Sequence, residues 1–335
     1  MIGLLPTYAA IGVAAPLILV LLRFVQGLAI GGQWGGAMLL VTENAPADQR
    51  GWYGAYAQAG APVGVILANL AFIGVSSSMS EEAFMDWGWR LPFIASIVLI
   101  GISMYVQLRL EDTEAFKALQ ESQDGEASDQ PIAASPVVEA IRKYPKRIML
   151  AAGAFLSVQV TFYILIAFII AYGVTAPELA LSRDTMLTAV LIAAAIMVPS
   201  QFYFSGLSDR VGRKQIYRWG AILTGLWGFA LFPLINTGEP LMIVIAVTLG
   251  LTFLGMQYGP QAAYFTELFT TEVRYSGASL GYQIGAILGG ALAPTIAVLL
   301  WNELGIFYVS VYILVAAILT LLSLSALEET KGRTL

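Results

Sequence analysis

Along this chain the polar residues collect in short gaps between long apolar runs. A membrane span needs about 20 apolar residues. Runs of that length lie at roughly 16–42, 51–75, 88–109, 147–173, 185–206, 215–236, 240–266, 275–301 and 304–326. They predict nine full transmembrane helices, with residues 1–15 a remnant of another. Pro62, Pro199, Pro260 and Pro294 fall inside these runs, where neighbouring helices re-satisfy the freed backbone groups. The one long polar segment is 111–146. Glu121 to Pro136, rich in Ser, Asp, Gln and Ala, predicts a flexible linker. Val137 to Arg147 predicts a basic amphipathic helix at the membrane face. The chain thus divides into an incomplete helical bundle over 1–110, a linker over 111–146, a six-helix bundle over 147–327 and a tail over 328–335.

Composition narrows the class. Of 335 residues, 58% are hydrophobic and 12% charged, and the mean hydropathy is +0.76. Soluble domains carry about 25% charged residues, so the pattern is that of an all-α integral membrane protein. The net charge of −5 adds little, because the charges sit between the spans. The absence of Cys removes disulfides, iron–sulfur clusters and thiol nucleophiles, and the absence of His removes the commonest metal ligand. No catalytic residue, metal site, cofactor, nucleic-acid partner or obligate protein partner is expected. Every Lys and Arg except Arg23, Arg90 and Arg183 falls in, or at the span edges beside, alternate inter-span segments. Those segments are predicted to be cytoplasmic, the linker and the C-terminal tail among them, in a multi-pass plasma-membrane protein.

The two halves repeat. Gln33-Trp-Gly-Gly aligns with Gln257-Tyr-Gly-Pro at an offset of 224 residues, and Thr42-Glu43 and Arg50 align with Thr266-Glu267 and Arg274. One residue of slip aligns Gln58, Gly60 and Gly64 with Gln283, Gly285 and Gly289. Polar residues in register at matching span edges indicate a parallel repeat of six-helix bundles. The repeat also predicts partners lying before Met1, for about two and a half helices, on the order of 75 residues.

Several polar side chains stand inside spans. Arg23, Gln26 and Gln33 share a helical face. Arg23 either faces a cavity, where its fork suits a carboxylate, or snorkels to the outer interface. Gln257, Gln261 and Tyr264 form another face, as do Gln159 with Tyr163, Gln58 with Asn69, and Tyr282 with Gln283. Tyr258 lies beside them in the repeat. Each either lines a polar cavity at the midplane or makes interhelical hydrogen bonds. Gly27, Gly31 and Gly35, and Gly277, Gly281, Gly285 and Gly289, predict close helix packing, either static or also the sliding surface of transport.

The segment Gly206-Leu-Ser-Asp209-Arg210-Val-Gly212-Arg213-Lys214 reads as a polar loop between two spans. Its clustered bases mark the cytoplasmic side, and Asp209 is placed to accept hydrogen bonds from a helix N-terminus, such as the one starting at Gly51. Glu43 with Arg50 and Glu267 with Arg274 stand at matching helix ends. With Asp209, Arg210 and Arg213 they form either conformational latches or static caps.

These stretches together resemble one branch of the major facilitator superfamily, the metabolite:proton symporters. The resemblance rests on Arg23-x-x-Gln-Gly through Gly-Gly-Gln-Trp-Gly-Gly-Ala37, Glu43-Asn-Ala-Pro46, Trp87-Gly-Trp-Arg-Leu-Pro-Phe93 and Gly206 to Arg213. It rests equally on Tyr258-Gly-Pro-Gln-Ala-Ala263, Glu267-Leu-Phe and Arg274-Tyr-Ser-Gly-Ala-Ser-Leu-Gly-Tyr-Gln283. It implies a major facilitator fold of two pseudo-symmetric bundles, the first incomplete. It further implies secondary transport of a small organic solute, an organic acid or a betaine- or proline-like compound, with protons and by alternating access. Two departures stand against it. Gln33 occupies a position where relatives often carry Glu, and the first two helices, with their signature loop, are missing. A truncated, transport-inactive relative is therefore the alternative expectation.

Overall fold

The computed structural model describes residues 2–31, 33–109, 136–177, 179–271 and 273–333. Among these the chain is helical throughout, without strands. After short turns at Ile2–Leu4 and Tyr8–Ile11 come α1 (Ala14–Ile30), α2 (Gln33–Glu43), α3 (Arg50–Ser77) and α4 (Arg90–Gln107). The second half begins with α5 (Pro136–Lys143) and α6 (Pro145–Thr175). It continues through α7 (Arg183–Val211), α8 (Arg213–Ile235), α9 (Pro240–Glu267), α10 (Arg274–Leu304) and α11 (Ile306–Ala326). Eight described helices, α3, α4 and α6–α11, are long and apolar enough to cross a membrane.

The expected span 16–42 is instead two described helices, α1 and α2, on either side of the Gly31–Gly32 pair. Gly31 itself keeps helical angles. Two adjacent glycines lower the helix preference at this point by about 1 kcal/mol each relative to Ala. The expected polar loop 206–214 is also not a loop. Helix α7 runs to Val211 and α8 starts at Arg213, so Gly212 alone makes the turn, with φ +124°. Any Cβ there would be strained by that angle and would stand 2.8 Å from the Glu329 carboxylate. The amphipathic helix expected over 137–147 ends at Lys143. Pro145 disfavours helical angles at the residue before it, and Tyr144 takes φ −128°, ψ 39°, so Lys146 and Arg147 belong to α6. Of the linker expected over 111–146, residues 111–135 lie outside the described residues.

The six spans α6–α11 pack as one bundle around buried Phe155, Phe168, Tyr172, Phe232, Tyr264 and Phe265. Small residues bring its helices together, as their spacing predicts. Cβ atoms at Gly281 and Gly285 of α10 would meet Ala151 Cβ and Ala152 O of α6 at 2.8 Å each. In the first glycine stripe Gly27 has nothing within 4 Å, whereas Gly35 at its far end meets Ser279. The first bundle, α1–α4, buries much less; no residue of α4 is buried. It meets the second through α2, against α9 and α10, and through α3, against α7 and α9.

Candidate functional site

The bundles are tied at the end that carries the basic segments. Asp209, at the last turn of α7, aims its carboxylate at the N-terminus of α3. Its two oxygens accept from Gly51 N–H at 2.8 Å and Trp52 N–H at 2.9 Å. The positive end of a helix suits an anion there. The approach requires glycine: a Cβ at Gly51 would stand 2.6 Å from both an Arg213 guanidinium nitrogen and the Ser205 carbonyl. Arg213 is 1% exposed, so its charge needs partners. It has Asp209, Ser208 Oγ at 3.1 Å and Glu267 at 3.3 and 3.4 Å. A second tie joins Arg274 of α10 to Glu43 of α2 at 3.2 Å, while the Arg274 Nε–H donates to the Thr266 and Phe269 carbonyls.

The tail completes this cluster. Glu329 caps α8 by accepting from Arg213 N–H at 2.9 Å and Lys214 N–H at 3.0 Å. Thr330 donates to Glu267 at 2.6 Å, and Arg50 donates to the Arg333 carbonyl at 2.6 Å. The pairing differs from repeat symmetry: Glu43 finds Arg274 of the other half, but Glu267 turns to Arg213 and Arg50 to the tail. Arg210 stands outside the cluster, exposed, and only its carbonyl is used, by Lys331. Glu329 and Thr330 escaped the sequence reading because a charged tail after the last span ordinarily lies in water. The signal that pointed to them was only the glycine at 212, which leaves room for the Glu329 carboxylate.

Further toward the middle, a polar and aromatic seam crosses the boundary. Gln58 of α3 donates to the Tyr258 carbonyl of α9 at 2.8 Å. Its repeat partner Gln283 of α10 donates to the Gly31 carbonyl at 2.8 Å. Each half therefore sends one glutamine to a backbone carbonyl of the other. Trp34 donates to Gln58 Oε1 at 3.1 Å and stacks on Tyr282 at 4.1 Å, and Phe155 lies 4.3 Å from Tyr282. One turn further along α6, Gln159 packs against Gly289, and Tyr163 against Gly290. Both glycines lie in a π-helical turn, Ala286–Ala291. Trp34 carries this seam, yet only its alignment with Tyr258 marked it in sequence.

Other expected cavity residues lie elsewhere. Gln257 is buried inside the second bundle, where it donates to Thr224 Oγ1 at 2.8 Å, so it is an interhelical bond and not a cavity wall. Gln261 is fully buried as well, with neither side-chain polar atom hydrogen-bonded. Gln257 lies on the side of α9 turned toward α8, where Gly220 leaves it room. Arg23 is exposed and donates to Gln26 at 3.2 Å. Both line a cavity of ≈ 330 Å³ with Phe93 and Ser96, whereas Gln33 lines a separate, larger groove with Ser96, Ser103 and Tyr275. These three residues are not part of the seam.

At the opposite end the bundles separate. A cavity of ≈ 570 Å³ lies between Phe72, Ser76 and Glu81 of the first bundle and Arg183, Asp184 and Leu187 of the second. No hydrogen bond crosses the boundary at this end among the described residues, so the molecule is shut at the basic end and parted at the other.

Two helical bundles, a seam that can be tied at one end and parted at the other, and an internal repeat define an architecture shared with known proteins. Residues 1–278 match the model of the Major Facilitator Superfamily. The chain belongs to that superfamily. Among curated relatives, the inner membrane metabolite transport protein YhjE of Escherichia coli K12 is 38% identical, covering 100% of this chain and 75% of that one. The shikimate transporter of the same organism is 33% identical over 92% of this chain and 70% of its own length. The Dickeya dadantii glycine betaine/proline/ectoine/pipecolic acid transporter OusA is 30% identical over 100% and 67%. Among solved structures, the proton:xylose symporter XylE bound to 6-bromo-6-deoxy-D-glucose superposes with a TM-score of 0.68 at 17% identity. That match covers 89% of this chain and 68% of the other, and it shows the fold. This major facilitator chain is thus a multi-pass membrane transport protein and not an enzyme.

Proposed function

We propose that the chain is a secondary active transporter that carries a small organic solute together with protons by alternating access. The observation that carries this reading is the placement of the ties. Among the described residues the bonds between bundles lie at the basic end and the seam, among them Asp209 to α3, Glu43 to Arg274, Gln58 to Tyr258 and Gln283 to Gly31. The far end is parted around a cavity. Hydrogen bonds of modest individual strength, made in one arrangement and broken in the other, set the balance between two states. The bias of Lys and Arg puts the tied end, the linker over 111–146 and the tail in the cytoplasm, and the parted end outside.

Among the described residues no carboxylate lies deep in a span. Asp209 and Glu267 are both held in the tie around Arg213, and this reading assigns the proton to no residue. The solute is read as carboxylate-bearing. Shikimate, proline and betaine, named for the relatives, share that group, and Arg23 with Gln26 offers a fork to receive it. The test is uptake of labelled proline, glycine betaine and shikimate into proteoliposomes under an imposed pH gradient. Accumulation should require an inward proton gradient and collapse with a protonophore. Uptake indifferent to the gradient would remove the proton from the reading, and no uptake of any of the three would favour the transport-inactive alternative.

A further inference from the structure

A further cavity, of ≈ 270 Å³, opens on the basic face outside the tie, where α5 meets α6. Lys143, Lys146 and Arg147 line it together with Leu150, Leu268 and Leu327. The arginine is held in place. It donates to the Leu268 carbonyl at 2.8 Å and lies over the Tyr144 ring at 5.5 Å. The lysines are exposed at the rim, Lys143 beside Glu139 and Lys146 with no hydrogen bond or ion pair among the described residues. The one acid of the lining, Glu328, is 62% exposed, bonds to Arg333 and stands 4.0 Å from Arg147. Three bases therefore face one outward-turned acid around an apolar floor.

The surroundings place this cavity at a lipid surface. Helix α6 is a membrane span that begins at Pro145. Just before it, α5 turns Val137, Val138 and Ile141 outward, 43%, 55% and 51% exposed, next to Arg142 and Lys143. A short helix with an unpartnered apolar side and bases beside it lies in the headgroup layer, its apolar side toward the acyl chains. A soluble anion would use the bases and leave the leucines and the apolar side of α5 in water. An amphiphile with a phosphate at its polar end uses both.

We propose that this cavity binds the headgroup of an anionic phospholipid, its phosphate between Lys143, Lys146 and Arg147 and its glycerol against the leucine floor. The site also touches the tail: Leu327 and Glu328 precede Glu329 and Thr330, which bond into the tie. Lipid occupancy holds the start of the tail against α6.

The experiment is native mass spectrometry of the whole purified protein with added phosphatidylglycerol or phosphatidylcholine, and it reads binding without any need for transport. Phosphatidylglycerol adducts should persist at energies that strip phosphatidylcholine. Lys143→Gln with Lys146→Gln should weaken phosphatidylglycerol binding on the order of tenfold. Lys143→Arg with Lys146→Arg should restore it. Arg218→Gln, an exposed base on α8 outside the cavity, should leave it unchanged. Equal retention of the two lipids, or an equal loss in the Arg218 variant, would overturn the site. Displacement by millimolar inorganic phosphate or glycerol phosphate would overturn the lipid as its occupant.

Discussion

Replacing Asp209 by Asn tests the tie with little change in shape. The wild-type carboxylate takes two N–H groups at the start of α3, at 2.8 and 2.9 Å, together with the Arg213 guanidinium. Asparagine keeps one acceptor oxygen and presents an NH₂ where the second oxygen was. It therefore loses one hydrogen bond to a charged acceptor, about 1.5–3 kcal/mol. It also loses the charge at the helix end, about 0.3–1 kcal/mol. The sum, about 2–4 kcal/mol, is realised only when the basic end is shut. Against a state with that end open, the balance should shift by roughly 30- to 800-fold. The chain contains no Cys, so one introduced thiol is its only one. A thiol at Leu187, in the cavity at the parted end, should react more slowly with an impermeant maleimide supplied on that side in the Asp209→Asn background. A thiol at Ala262, buried 3.1 Å from where a Gly54 Cβ would stand, should react faster with the reagent supplied on the side of the tie. Asp209→Glu, which keeps the charge, should lie closer to wild type. Unchanged rates at both positions, in protein that inserts and unfolds like wild type, would refute the tie and leave Asp209 as a static cap.

Other perturbations probe the same frame. Gly51→Ala should shift the labelling in the same direction by a steric route. Its Cβ meets the Ser205 carbonyl at 2.6 Å, backbone that cannot yield, and overpacking of this kind costs about 1–3 kcal/mol. Glu329→Gln with Thr330→Val should loosen the tail and raise proteolytic cleavage after Lys331, while the α6–α11 bundle keeps its melting temperature within a few degrees. Gln58→Leu and Gln283→Leu should each shift the accessibility balance, and in a double-mutant cycle their effects should be non-additive if the seam opens as one unit. Arg23→Ala should abolish uptake of a carboxylate solute without affecting insertion; unchanged uptake would remove Arg23 from the binding site. Thr224→Val should cost only about 0.6 kcal/mol of stability and leave accessibility untouched, as expected for a bond internal to one bundle.

Much of this protein could be read directly from its residue order. Apolar runs of membrane length set the spans, because a backbone in lipid must satisfy its own hydrogen bonds and helices do so locally. The register of Gln33, Glu43, Arg50 and Gln58 against Gln257, Glu267, Arg274 and Gln283 disclosed the repeat, since both copies meet the same membrane faces. Asp209 was legible as a partner for a helix end because an acid among bases at a span edge has few other stable surroundings. What chain order left open was which partner each polar group takes, and that depends on the angle between helices. Gln257 and Gln58 look alike along the chain, yet one faces α8 within its bundle and the other crosses to Tyr258. Glu43 and Glu267 are repeat equivalents, but the tail reaches only Glu267, and Thr330 and Arg213 take it while Glu43 takes Arg274. The spans follow from local free energies of transfer, which act residue by residue. The tie and the seam arise where helices far apart in sequence approach within hydrogen-bonding distance, and only the packing of the two bundles decides that.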